Sequence, residues 1–537
     1  MPTVATELAY LSGAALTGGY ILLSAAEYFS KAFTHSHLTP YAPYLKISLA
    51  IILIPFYITF RKHHHYYRGA RINGCQPTRV FPHKDPILGI DLLKIMLKAV
   101  KEHRILDTWD EHFAKYGKTH WENATGNWYL LTTEAENAKA ILSSQFENFS
   151  ILSTRQKTTD LILGPKSIFS ANGAEWQHSR AIIRPSFVRN QLADLECTDR
   201  HVDNFLAKIP MDGSSFDIDK LLYWFTMDVS TDFMFGHCTN LLTTPDQQSL
   251  DFLEAFDSAS FNATTRGRLG WITLFIPDSK FNAEIKTCHR FVEHHVSKAL
   301  AKSGEKERPY VFLDEIIKSG ASQKEISDQI LSMILGGRDT SASTLSTLFY
   351  TLARRPDVVK KIRAEVSRLD GRRPSWEDLK DLKYLNMTVK ETLRVWGPVS
   401  TNMRTANKDT VLPRGGGQDG KGPMFVPKGT DIRYSLHGIH HNKEFYGEDA
   451  DEFRPERWEE NLRPSWDYIP FSGGPRICIG QQFALTQMMY LLARVFQQFG
   501  NVEARSDKPM RHKVTTTMNM VDGCWIALEP LEGFEKN

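Results

Sequence analysis

One cysteine stands where a negative sulfur can be held. Residues 471–480 read FSGGPRICIG. Gly473, Gly474 and Pro475 write a tight turn, and an apolar helix follows from about Gly480 to Phe496. Cys478 therefore sits at a helix start, where backbone N–H groups and the positive helix end favour a thiolate. Gly480 has no Cβ and lets a flat group come close. Phe471 can shield the sulfur from water, and Arg476 stands two residues away to meet an anion. A shielded thiolate, a glycine-lined face and a nearby cation are what a haem iron and its propionates need. An inert cysteine buried in a turn is the plain alternative.

Three further constellations carry chemistry. In ILGGRDTSAS, residues 334–343, Gly336 and Gly337 each cost about 1 kcal/mol against alanine in mid-helix, and they make room for a small molecule. Asp339 and Thr340 place an acid beside an alcohol, a pair able to relay protons; the hydroxyl can equally bond back to the carbonyl four residues earlier. Trp176 and Arg180, four apart in EWQHSR, share a helical face and offer N–H donors to a carboxylate. Glu391 and Arg394, three apart in KETLR, also share a face. As a solvated pair they would contribute little.

The cysteine loop resembles the signature of the cytochrome P450 superfamily, F-x-x-G-x-R-x-C-x-G, and meets it at Phe471, Gly474, Arg476, Cys478 and Gly480. The other motifs follow in the superfamily's order across residues 72–537. The resemblance implies a mainly α fold with small β-sheets, the cytochrome P450 fold, preceded by an N-terminal membrane anchor helix or helices. It implies haem b, iron protoporphyrin IX, with Cys478 as the thiolate ligand of the metal. Trp176, Arg180, Arg476 and Arg404 of STNMRTA then face the propionates. Gly336, Gly337, Asp339 and Thr340 match the oxygen-activation motif. Arg457 of EFRPERW would join Glu391 and Arg394 in a buried network that holds the cysteine loop in place. One departure is WGPVSTN, with Gly397 and Ser400 where prolines are common, beside the substrate pocket.

By the same resemblance the chain is a haem-thiolate monooxygenase that uses O2 and electrons from a separate NADPH–cytochrome P450 reductase. Lys390 or Arg494 could steer that partner. GRDTSAS, PRICIGQQFALTQ and DADEFRPERW are similar to fungal microsomal hydroxylases of alkanes and fatty acids. They imply a long apolar substrate oxidised at or near its terminal carbon. Tailoring of a polyketide, terpene or lipopeptide is the alternative, and a non-oxygenase isomerase or dehydratase the more distant one; the retained Asp339 and Thr340 argue against the last. Pocket walls are expected from residues 151–171, 328–340, 398–403 and 514–520. Thr515, Thr516 and Thr517 could orient a carboxylate or hydroxyl, or simply be strand threonines.

The elements that must position these residues read mostly as helices. Apolar residues recur at three- and four-residue spacing over 90–116, 133–149, 328–355, 357–370 and 385–396. Strand candidates are 128–133, 424–436 and the C-terminal CWIALEP. Upstream, residues 9–26 carry no charge, and the stronger run 47–60, extended by residues 41–46, approaches the ~20 residues of a span. The basic stretch RKHHHYYRGAR, residues 61–71, is expected to stay cytoplasmic. Residues 1–71 thus read as an anchor for one or two spans in the endoplasmic reticulum membrane, with the catalytic domain of residues 72–537 on the cytoplasmic face. The chain has 537 residues, is 42% hydrophobic and carries a net charge of +3, which excludes a dedicated nucleic-acid binder. Its six cysteines form no CxxC pair, so neither a zinc site nor a disulfide framework is indicated.

Overall fold

The computed structural model describes residues 57, 60–151, 159–187, 195–269, 273, 275–301, 312–460 and 462–531. The chain divides into two compact units, Met1–Gly69 and Ala70–Asn537. In the first, residues 60–69 are helical. Among the described residues no helix is long and apolar enough to cross a membrane. The expected spans at 9–26 and 47–60 lie outside the described residues except at Tyr57 and Phe60.

In the second unit a helix of 30 residues, Gln323–Leu352, runs through the interior. It starts on a capping box: the Glu325 N–H donates to the Ser322 hydroxyl and the Ser322 N–H donates to the Glu325 carboxylate, which satisfies two otherwise orphan donors. Apolar side chains surround it on most sides. Ile218–Phe235 and Lys383–Val395 pack against its C-terminal half together with Gln481–Gln498, in a core that includes Phe225, Leu345, Phe349 and Leu491. Gln247–Leu269, Ser279–Ala301 and Phe312–Lys318 cover its N-terminal half through Phe252, Phe291 and Ile330.

A six-stranded mixed sheet lies in this unit, in the order Arg79–Val80, Thr119–Ala124, Asn127–Thr132, Asp431–Ser435, Thr401–Ala406, Phe149–Ser150. Its inner pairs place Arg404 opposite Ile432 and Arg433 opposite Met403. Smaller sheets join Phe499–Ala504 with Trp525–Pro530 and Phe216–Asp217, His512–Val514 with Met518–Met520, and Thr410–Gly416 with Gly422–Val426.

The long periodic stretches are helical, with different ends. Residues 90–116 form two helices, Ile90–Lys101 and Ile105–Tyr116, because His103 adopts a left-handed φ of 57° between them. Residues 133–149 hold only Ala135–Lys139 as α-helix, followed by a π-helical turn, Ala140–Ser144. The expected strand over 424–436 is two strands broken at Gly429, whose φ of 82° turns the chain.

Candidate active site

The cysteine loop is shaped by its backbone. Ser472 and Gly474 both take left-handed φ, 63° and 67°, within three positions, and the Cys478 N–H donates back to the Phe471 carbonyl at 2.9 Å. Gly474 is pressed against the π-helical turn: a Cβ there would stand 1.8 Å from the Leu142 carbonyl oxygen. Gly474→Ala should therefore lose far more than the roughly 1 kcal/mol of a left-handed alanine. Gly371→Ala makes the comparison, since its φ is 73° but nothing lies within 4 Å of the added methyl. Thermal unfolding of the two variants, with haem retained per chain, measures the difference; equal losses would contradict the close packing.

Cys478 opens into a cavity of about 930 Å3. Its exposure includes this cavity, whose wall it forms. Burial pushes the thiol up from its ordinary pKa, while the Gly480 N–H and the Arg180 charge pull the other way. Desolvation thus opposes the local dipoles that the helix start brings to the sulfur. Gly480 also lines the cavity, and a Cβ there would touch only Phe187, at 3.6 Å.

Cations gather at the same cavity. Trp176 and Arg180 project from Gly173–Ile183, and the Arg476 guanidinium stacks over the Trp176 ring at 4.4 Å. Arg476 also donates to the Ala171 carbonyl at 2.7 Å. Arg404 is buried and donates to the Met403 carbonyl at 2.8 Å. Trp176, Arg180, Arg404, Arg476, Phe471 and Cys478 all line the cavity. Among the described residues no carboxylate pairs with Arg180 or Arg404. A buried Arg404 and a half-buried Arg180 without an acid call for an anionic guest. A thiol opening into the cavity and arginines awaiting carboxylates suit an iron porphyrin with two propionates.

Above the cavity the long helix supplies Gly336, Gly337 and Thr340. Gly337 also serves helix packing, since a Cβ there would come within 3.0 Å of the Ser230 hydroxyl. The Thr340 hydroxyl donates to the Gly336 carbonyl at 2.7 Å, the back-bond that its position allows. Asp339 is buried beside the cavity wall and accepts from Arg338 at 2.9 Å. Arg338 is also held by Asp257, with Nη2 at 3.1 Å from Oδ2. Burial pushes the Asp339 carboxyl up to about 6 against the pull of Arg338.

The Glu391 network is closed on all sides. Arg394 donates to both carboxylate oxygens, at 2.8 and 3.0 Å, and Arg457 donates at 2.9 Å. The Trp458 indole and the Arg454 backbone N–H add two more bonds at 3.0 Å. Sequence reasoning missed what joins this network to the cysteine loop. Arg394 donates to the His440 carbonyl, and the His440 ring accepts the N–H of Ile469, two residues before Phe471. Burial and the Arg394 charge bring His440 down to about 3, so its Nε2 is free to accept. A histidine in GIHHN carries no spacing signal for such a role.

Some expectations are corrected. Arg494 is nine-tenths buried and ion-paired with Asp199 and Asp203, at 3.1 and 3.0 Å, so it is no free surface cation. Lys390 is exposed. Thr515–Thr517 form the turn of the His512–Val514/Met518–Met520 hairpin, not a strand, and their hydroxyls are engaged locally. The Thr516 hydroxyl meets Thr264 of Gln247–Leu269 at 3.1 Å. Ser343 of the long helix donates to the Met518 carbonyl, and the Met518 N–H donates to the Pro398 carbonyl at 2.8 Å.

The cytochrome P450 family profile matches residues 86–521. The chain belongs to the cytochrome P450 family. Cytochrome P450 monooxygenase FPY7 of Fusarium mangiferae is 37% identical over 475 residues, which cover 86% of this chain and 91% of that one. Cytochrome P450 monooxygenase himC of Aspergillus japonicus is 39% identical over 469 residues, 85% of this chain and 84% of the other. Cytochrome P450 52A13 of Debaryomyces hansenii is 34% identical over 516 residues, 91% and 98% of the two chains. The protein is a cytochrome P450 monooxygenase by family, with a haem-thiolate cofactor and a mainly helical fold carrying small sheets.

Proposed function

We propose that this P450 hydroxylates a long apolar substrate at or near its terminal carbon, with haem b held by Cys478. The carrying observation is that the Cys478 thiol, the Thr340 hydroxyl and the arginines open into one cavity, whose wall is also built from apolar side chains such as Leu93, Met96, Ile162, Phe169 and Phe233. Trp176, Arg180, Arg404 and Arg476 hold the propionates. When bound, haem on a thiolate supplies the activation of O2 and the transfer of one oxygen atom into a C–H bond, with the other leaving as water.

The remaining work belongs to the chain. Its apolar walls exclude water and align the substrate tail. The Thr340 hydroxyl positions a proton donor on the cavity side, and Asp339 stores the proton. The raised carboxyl keeps that proton up to about pH 6, where an ordinary aspartate would have lost it near 4. Residues 1–71 anchor the domain of residues 72–537 to the endoplasmic reticulum membrane, and a separate NADPH–cytochrome P450 reductase delivers electrons to it.

Reconstitution with such a reductase, labelled O2 and a panel of alkanes, fatty acids and polyketides tests this: one labelled oxygen should enter a chain terminus. Label absent from product, or products only from polyketides, would overturn it. Thr340→Ala should cut product per NADPH by about tenfold or more. In the parent, coupling should fall as pH rises through about 6, because protonated Asp339 is depleted. Asp339→Asn should be poorly coupled at every pH. Full coupling in Thr340→Ala would remove the relay from the mechanism.

A further inference from the structure

Two arginines in the wall of this cavity are not accounted for by haem. Arg268 lies in the last turn of Gln247–Leu269, and Arg433 lies in Asp431–Ser435. Both line the cavity. Arg433 is stacked between two aromatic rings, its guanidinium carbon 5.0 Å from the Trp109 centroid and 5.6 Å from that of Tyr129. Its polar contact is a weak one to the Met403 sulfur at 3.7 Å, and its buried Nε has no hydrogen-bond partner. Arg268 donates to the Val514 carbonyl.

Among the described residues neither arginine has a carboxylate partner. Away from the cavity the buried arginines are paired: Arg338, Arg394, Arg457 and Arg494 each meet an acid. Arg268 instead feels burial and the like charge of Arg433, which together bring it down to about 10. Two neighbouring guanidinium groups in a largely apolar wall cost free energy unless an anion joins them. The aromatic faces of Trp109 and Tyr129 fix Arg433 in place, so little entropy is lost when the anion arrives. The nearby threonines are not the alternative receptor, because their hydroxyls are engaged, Thr515 with the Thr517 carbonyl, Thr516 with Thr264 and Thr517 with Asn519.

We propose that Arg268 and Arg433 form an anion subsite, and that the substrate is an apolar molecule ending in a carboxylate, held there while its tail extends toward Cys478 and Thr340. This rests on reading the cavity as the substrate site and narrows it: a neutral alkane leaves both guanidinium groups unpaired, whereas a monocarboxylate satisfies them.

The purified full-length haem protein is titrated with hexadecanoic acid and with its methyl ester, following the substrate-induced Soret shift. The acid should bind more tightly than the ester. Arg268→Met and Arg433→Met should each weaken the acid by about tenfold or more while leaving the ester unchanged, and Arg433→Lys should recover part of the loss. Equal binding of acid and ester, equal weakening of both in the variants, or no response to either ligand overturns the proposal. Thermal stabilisation by acid over ester is measured in parallel and needs no haem. A protein that lacks a thiolate spectrum yet is stabilised by acid in an Arg433-dependent way would sink the haem reading and keep this one.

Discussion

Cys478→Ser should abolish the long-wavelength Soret band of the reduced carbonyl complex and bring turnover below detection, while the protein still folds. The loop does not depend on the sulfur for its shape. Its turn is closed by the Cys478 N–H bond to Phe471 and by the left-handed Ser472 and Gly474. A serine hydroxyl keeps all of that and is of similar size. What it cannot supply is a soft anionic donor, because an alcohol stays protonated where a metal-bound thiol does not. Circular dichroism, haem content and the carbonyl spectrum separate the two effects. A variant with an unaltered carbonyl band would place the axial donor elsewhere.

Glu391→Gln should be the most damaging change outside the cavity. One carboxylate accepts from Arg394, Arg457, Trp458 and the Arg454 N–H, and Glu391 and Arg394 are fully buried. The amide removes the charge and turns one acceptor into a donor facing donors. Breaking one partner of such a group costs about 3–5 kcal/mol, a large part of a total stability of about 5–15 kcal/mol. Because the His440 ring accepts the Ile469 N–H beside the cysteine loop, haem retention should fall with stability. Calorimetric melting and haem per chain test this. Arg104→Ala removes two exposed ion pairs, to Asp107 and Glu111, and should shift the melting temperature far less. If Glu391→Gln melted like Arg104→Ala with full haem, the network would have no structural role.

What was legible in the sequence is what chemistry compresses into short segments. Cys478 with its glycines, Glu391 with Arg394, and Trp176 with Arg180 announce themselves by local spacing, and the structure brings each set together. The cysteine side of the cavity could be named from such segments, and so could walls at Pro398, Met403 and Val514; two arginines on its far side could not. Arg433 is one arginine in an ordinary strand, and Arg268 one of two near a helix end. Their significance comes from missing acids, which only the fold reveals. His440 was hidden for the same reason, since its partner Ile469 is 29 residues away. Boundaries failed where one residue turned the chain: His103 split a helical stretch, and Gly429 split a strand. Arg494 looked like a surface charge because Asp199 and Asp203, which neutralise it, are nearly 300 residues upstream.

The C-terminal hairpin couples the cavity's contents to its own length. His512 opposes Met520, Lys513 opposes Asn519 and Val514 opposes Met518, and three threonines close the loop. Ser343, Pro398 and Thr264 clasp it from three separate elements. Inserting one residue into either arm would invert which side chains look inward, whereas inserting two would restore the alternation. Viable lengthening or shortening of this wall should therefore proceed in even steps, and the range of guests admitted would change by increments rather than continuously.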